Sequence, residues 1–369
     1  MDRKFFRCTA CGAVFDGDVD ICPVCGVGSE RFEEVDPGKI AYRNNTGDLY
    51  LILGGGVAAV SAAEAIRARD NTGNIAILTD EPAAPYNRPM LTKRLSDKSP
   101  PMFVRKPEWY PANRVQLYTG MRIRSLDAPS RHVVLDDGTT FRYDKCVYAM
   151  GAECFVPPIP GADGKNCATI RRLSDVERIE NMLPGARSAA VIGGGVLGLE
   201  SAWALKKRGL AVTVIEVEER LMPRQLDEEV SRKLRRAAED SGVRILTGAR
   251  TERITPEGVV LAGGTSAPAE IVILSCGIRA NAAIAKDAGL GVARAVVVDE
   301  FMRTSDGNVF ACGDCAEFRG VDMGLWPEAA EQGRIAGANA SGDNLSYRQE
   351  RYPVSFIGFG IRIFDGKIQ

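Results

Sequence analysis

A single histidine, His132, serves a chain of 369 residues. It sits in Ser-Arg-His-Val-Val-Leu, a strand-like run with no second histidine to share a metal or relay a proton, so it takes no catalytic role. Net charge is just as scarce: 47 Lys and Arg against 48 Asp and Glu leave −1, no electrostatic footprint for nucleic acid or an anionic membrane. No apolar run reaches the length that crosses a bilayer, and Met1-Asp2-Arg3-Lys4-Phe5-Phe6 lacks the apolar stretch and cleavage site of a signal peptide. A cytoplasmic protein without membrane or nucleic-acid partners is expected. Cysteine is absent between Cys25 and Cys146, which acquires meaning only beside the motifs that are present.

Hydrophobic residues make up 45% of the chain and glycines number 39, which suits an α/β protein of two or three domains with several phosphate-approaching loops. Of the ten cysteines, four fall in two matched turns, Cys8-Thr-Ala-Cys11-Gly12 and Cys22-Pro-Val-Cys25-Gly26. In each turn two thiolates converge on one ion, and the following glycine permits the positive φ that turns backbone amides toward sulfur. Together they make a closed tetrahedral cage of four thiolates, which accepts zinc or iron. Spacing alone does not choose between the two metals, and a zinc knuckle that only folds its own segment is the plainer alternative.

A polar linker, residues 37–47, leads to an apolar strand and then to Gly54-Gly55-Gly56-Val57-Ala58-Ala59 and an alanine-rich helix. This is G-x-G-x-x-A in its required context of strand, tight turn and helix. Gly54 permits the turn, Gly56 lets backbone approach a pyrophosphate, and Ala59 lets the helix pack close. The next strand ends at Asp80-Glu81, where an acid can bond the adenosine ribose; Asp80 is the first candidate and Glu81 the second. The pattern returns at Gly193, Gly195 and Gly198, with a following strand that ends in Glu216. Glu216 accepts bonds from an unmodified ribose and repels a 2′-phosphate, so this site is expected to prefer NADH to NADPH. Arg220 and Arg224 follow closely, and a cation there would weaken that preference.

Two resemblances extend this reading. Phe5-Phe6-Arg7-Cys8-Thr-Ala-Cys11-Gly12, Phe15-Asp16-Gly17-Asp18, Cys22-Pro23-Val24-Cys25-Gly26 and Phe32-Glu33-Glu34-Val35 together resemble a rubredoxin domain of the short type that is also found in rubrerythrins, which implies iron on Cys8, Cys11, Cys22 and Cys25. Pro85-Tyr86-Asn87-Arg88-Pro89-Met90-Leu91-Thr92-Lys93, Ala149-Met150-Gly151, Cys276-Gly277-Ile278-Arg279-Ala280-Asn281, Val309-Phe310-Ala311-Cys312-Gly313-Asp314 and Trp326-Pro-Glu-Ala-Ala-Glu-Gln332-Gly333 resemble, in order, the FAD-dependent pyridine nucleotide oxidoreductases that include ferredoxin and rubredoxin reductases. That resemblance implies FAD on the first fingerprint and NADH on the second. It places Asp314 on the ribityl chain, Trp326 at the helix under the flavin ring, and Arg88 beside the diphosphate or ring, with Ala149, Gly151, Gly277 and Gly313 lining the sites. It implies that Lys93 lies near flavin N5, paired with Glu200, as the catalytic pair.

In that light the missing cysteines matter. Disulfide reductases of the superfamily carry two redox cysteines on the first FAD-domain helix, and their peroxidase and oxidase relatives carry one shortly after the ribose acid; this chain has neither. Cys312-Gly-Asp-Cys315 overlaps a flavin motif and reads as packing. The expected fold is α/β, with two doubly wound nucleotide-binding domains behind a small metal domain. The expected bounds are 1–36 for the metal domain, 48–155 plus 275–340 for the FAD domain, 156–274 for the NADH domain, and 341–369 for a shortened C-terminal segment. The expected function is electron transfer from NADH through FAD and a rubredoxin-type iron centre to an external redox protein. The alternatives are an NADH-dependent flavin reductase with a structural zinc knuckle and a redox-sensing interaction protein.

Overall fold

The computed structural model describes residues 5–9, 14–16, 20–21, 27–35, 45–97, 100–321 and 324–369. They divide into two compact units, one of 1–87, 103–152 and 279–352, the other of 88–102, 153–278 and 353–369.

At the N-terminus of the first unit, Val14–Asp16, Phe5–Cys8 and Phe32–Val35 form a three-stranded antiparallel sheet with Phe5–Cys8 in the middle. Cys8 ends the central strand opposite Phe32. Cys11, Cys22 and Cys25 lie outside the described residues.

The main sheet of this unit has five parallel strands in the order Val309–Ala311, Lys145–Tyr148, Leu49–Leu53, Asn74–Leu78, Val115–Tyr118. The central strand is an unbroken apolar run, Leu-Tyr-Leu-Ile-Leu, with Ile52 and Leu53 fully buried, as a parallel strand covered on both faces requires. One face carries the helices Val57–Arg67 and Trp326–Ala340, which meet along a seam of small residues. A Cβ on Gly333 would stand 2.2 Å from the Ala58 carbonyl oxygen, and one on Gly337 would stand 2.3 Å from that of Ala62, so the helix backbones come closer than any larger residue allows. His132 lies on an accessory antiparallel sheet, with Nδ1 2.6 Å from the Ser130 carbonyl oxygen.

The second unit repeats the plan. Its five parallel strands run Cys167–Ala168, Ile271–Leu274, Ser188–Ile192, Ala211–Ile215, Val243–Leu246, with the second fingerprint strand again central. The helix Glu228–Asp240 begins where the Asp227 carboxylate accepts from Val230 N at 2.8 Å and stops before Gly242, whose φ is +78°.

The division of the chain differs from the expected bounds in several places: the described residues of 1–36 group with the first unit, and the long stretch of the second unit begins at Glu153. The stretch 88–102 belongs to the second unit and interrupts 48–155, because the helix Leu91–Asp97 buries Leu91, Thr92 and Leu95 against the second fingerprint helix, Val196–Lys207. The second unit extends to Ile278, past the expected 274. At the C-terminus, Tyr352 closes the first unit, whereas the antiparallel strands Ser355–Gly358, Ile361–Phe364 and Lys367–Ile368 join the second. Phe359 holds them there by packing edge-on against Trp203, with ring centroids 5.3 Å apart.

Candidate functional site

The first glycine of each fingerprint is forced by its neighbour across the strand ends. Gly54 has φ +117°, and a Cβ there would stand 2.1 Å from the Ala149 carbonyl oxygen; Gly193 has φ +114°, and a Cβ would stand 2.1 Å from that of Ser275. The next glycines of the pattern behave in the opposite way. Nothing lies within 4 Å of a Cβ built on Gly56 or Gly195, and both residues cap the N-termini of their helices. Each cradle therefore offers open space against backbone N–H groups at a helix start, the arrangement that binds a diphosphate. Ala59 is fully buried under its helix, and Gly198 closes the second turn, where a Cβ would stand 2.1 Å from the Gly193 carbonyl oxygen.

The registers make the two cradles superposable in chemical terms. Leu53 lies between Leu78 and Tyr148, and Ile192 lies between Ile215 and Leu274. Ala149 thus matches Ser275, Met150 matches Cys276, and Gly151 (φ +63°) matches Gly277 (φ +101°). The same alignment sets Thr79, and not Asp80, opposite Glu216. Asp80 is exposed one residue further on, while Glu81 is buried and its carboxylate accepts from the Tyr86 hydroxyl at 2.5 Å. Glu216 is also buried; its Oε2 accepts from Gly194 N at 2.6 Å and its Oε1 from Glu218 N at 2.9 Å. Arg220, the cation nearest in sequence, donates to the carbonyls of Leu226 and Pro223.

Around the first cradle, Gly313 (φ +75°) donates its N–H to Gln332 Oε1 at 2.9 Å, Asp314 follows in the turn Gly313–Cys315, and Trp326 opens the helix Trp326–Ala340 with proline directly behind it. Asn87 is 4% exposed and keeps its Oδ1 without a hydrogen-bond partner in the chain. A buried acceptor left without a partner in the chain fits a group that a polar cofactor completes. Both cradles accommodate a dinucleotide.

Lys93 and Glu200 meet as the resemblance implied, with Nζ 2.5 Å from Oε1. The Glu200 side chain is 8% exposed and that of Lys93 is 40% exposed. Thr92, which sequence reasoning passed over in favour of its charged neighbour, places Oγ1 2.7 Å from the second Glu200 oxygen. Arg88 donates Nη1 to the Arg171 carbonyl at 2.9 Å.

Burial disfavours the thiolate form at the described cysteines near the cradles. Cys146, Cys312 and Cys315 are fully buried, and Cys315 donates to the carbonyls of Cys312 and Tyr148. Burial pushes the Cys315 thiol up to about 12 and the Cys312 thiol well above its ordinary value. Cys276 is raised to about 11 by burial and by the Glu216 charge. Among the described residues no three His, Cys, Asp or Glu side chains gather to hold a metal. Nor is any described helix long and apolar enough to cross a membrane.

Two parallel-sheet folds in series, each with a glycine cradle and one with a lysine paired to a buried glutamate, define a two-dinucleotide oxidoreductase. The chain belongs to the pyridine nucleotide-disulphide oxidoreductase family, whose model matches residues 49–333, and residues 6–33 match the rubredoxin-like domain of rubrerythrin. The family implies FAD and NAD(P)H, and the rubredoxin-like domain implies a metal. Nitrite reductase [NAD(P)H] of Bacillus subtilis is 34% identical over 79% of this chain, which spans 37% of the relative's length. Among solved structures, the covalent putidaredoxin reductase–putidaredoxin complex matches at 30% identity and a TM-score of 0.80, over 86% of this chain and 81% of that one. The NADH:rubredoxin oxidoreductase of Clostridium acetobutylicum matches at 28% identity and a TM-score of 0.74, over 86% and 82%.

Proposed function

We propose that this chain takes electrons from NADH and delivers them, by way of FAD and an iron held by Cys8, Cys11, Cys22 and Cys25, to an external redox protein. The observation that carries the reading is the joining of a rubredoxin-like segment to a two-cradle flavoenzyme with no cysteine between Cys25 and Cys146. Of the thiols near the cradles Cys312 and Cys315 are buried, Cys276 is half-buried and all three are pushed up, which supports a path that uses no cysteine relay. Bound FAD would supply the ability to accept a hydride pair and release electrons singly, which a nicotinamide and a mononuclear iron cannot supply to each other.

In this reading Gly54, Gly56 and Ala59 hold the FAD diphosphate, Asp80 or Glu81 serves the adenosine ribose, Arg88 supports the diphosphate or ring, and Ala149, Gly151, Gly313, Asp314 and Trp326 frame the flavin end. Gly193, Gly195, Gly198, Glu216 and Gly277 hold NADH. Lys93, its charge balanced by Glu200, stands beside the reacting end of the flavin. NADH is favoured over NADPH because Glu216 would face a 2′-phosphate with like charge while Arg220 is engaged with backbone carbonyls. The proposed partner is a redox protein, by likeness to the putidaredoxin reductase–putidaredoxin complex and to NADH:rubredoxin oxidoreductase. A cytoplasmic location agrees with the free thiols of Cys146, Cys154, Cys167, Cys276, Cys312 and Cys315 among the described residues.

The test is anaerobic purification, metal analysis against FAD, and visible spectra during NADH addition. Iron whose thiolate charge-transfer bands bleach together with the flavin is the expected result. Zinc in the native-source protein, with only the flavin bleaching, would overturn the internal path and leave a flavin reductase with a structural knuckle.

A further inference from the structure

We propose that Thr92 is a positioning residue for the Lys93–Glu200 pair, a role that rests on the proposed passage of electrons from NADH to FAD. Each oxygen of the Glu200 carboxylate has its own donor: Lys93 Nζ lies 2.5 Å from Oε1, and Thr92 Oγ1 lies 2.7 Å from Oε2. The two donors are consecutive on the helix Leu91–Asp97 and approach the carboxylate from the second fingerprint helix's neighbouring side. A carboxylate held by one flexible ammonium could turn about its last torsion, because that rotation is soft. Thr92 removes this freedom. It is 2% exposed, and of the two acceptors within reach of its hydroxyl the Glu200 oxygen at 2.7 Å is much nearer than the Pro89 carbonyl at 3.5 Å, so burial and the shorter bond direct the donor to Glu200. With Oε2 pinned, Oε1 faces Lys93, whose Nζ also reaches the Pro89 carbonyl at 3.3 Å and is thereby fixed in direction.

The hydroxyl is not required to dock the helix. Lys207 Nζ donates to Ser96 Oγ at 3.0 Å, Arg208 Nη1 donates to the Leu95 carbonyl at 3.1 Å, and Leu91 and Leu95 are buried in the same contact. Thr92→Val keeps the shape of the side chain and deletes the donor, so the variant is expected to fold with FAD bound.

Anaerobic stopped-flow reduction of bound FAD by NADH tests the role. Thr92→Val is expected to lower the limiting rate by about tenfold while the half-saturating NADH concentration stays within about twofold. Thr92→Ser, which restores the donor, should recover the rate to within about threefold. In a Glu200→Ala background, which leaves the Thr92 hydroxyl no carboxylate to bond, Thr92→Val should cost nothing further, because its effect passes through Glu200. A wild-type rate in Thr92→Val, equal losses in the valine and serine variants, or additive losses with Glu200→Ala would each overturn the role. If the valine variant fails to retain FAD, Thr92→Ala against Thr92→Ser gives the same comparison, and equal rates there would overturn it. Failure of NADH to reduce the wild-type flavin would overturn the parent reading, and this role with it, before any variant is compared.

Discussion

Glu216 does two things with one carboxylate. It receives the N–H of Gly194 from within the cradle and that of Glu218 beyond it, so the acid which would read the ribose also shapes the loop that would hold the diphosphate. Glu216→Ala is expected to raise the KM for NADH by roughly tenfold and to narrow the preference over NADPH, with steady-state kinetics on both nucleotides as the check. Asp70, which follows the C-terminal end of the first fingerprint helix, is a comparable residue. Burial pushes its carboxyl up, but hydrogen bonds from the Thr46 hydroxyl, the backbone of Gly73 and Thr46 and the Tyr50 hydroxyl outweigh that and hold it at about 2. Its folded-state value lies below the ordinary 3.8, so its contribution to stability is complete above that pH and is lost as pH falls through about 2. Urea midpoints measured from pH 5 downward should therefore fall more steeply for the wild type than for Asp70→Asn.

At the level of the elements, the strand–turn–helix unit contains two glycines with opposite reasons for being there. Gly54→Ala drives a Cβ to 2.1 Å from a backbone oxygen in a positive-φ turn, so the protein should lose stability and FAD together. Gly56→Ala meets no protein atom within 4 Å, so the fold should persist with unchanged melting temperature while FAD retention, read from the 450 nm to 280 nm absorbance ratio, falls. Equal damage from both substitutions would contradict the assignment of Gly56 to the cofactor. The close seam between Val57–Arg67 and Trp326–Ala340 extends the same logic along the helices, since Gly333 and Gly337 admit no side chain there.

For the molecule as a whole, replacing Cys8 and Cys22 by serine should abolish reduction of an external acceptor while leaving NADH reduction of FAD intact; acceptor assays beside stopped-flow traces separate the two. Much of this organisation was legible in the sequence because glycine spacing, strand runs and the lysine and glutamate motifs are local features. What escaped was long-range. Counting acids past a strand selected Asp80, but only the strand register reveals that Thr79 occupies the place of Glu216. Arg220 reads as an available cation until its guanidinium is seen donating to Leu226 and Pro223. Thr92 lay inside a quoted motif, yet its partner is 108 positions away and no local pattern announces the bond. The grouping of 88–102 with the second unit has the same origin, a helix whose apolar face matches a distant partner.

The matched registers of the two sheets have a practical consequence. Because Gly54 and Gly193, Gly56 and Gly195, Gly151 and Gly277 occupy paired stations, a substitution at a shared glycine of one cradle has an internal control in the other. A lesion at Gly54 and its twin at Gly193 impose the same backbone insult on the same scaffold. Any difference between their phenotypes then reports the identity of the nucleotide each half serves, with the cost of distorting the turn cancelled out.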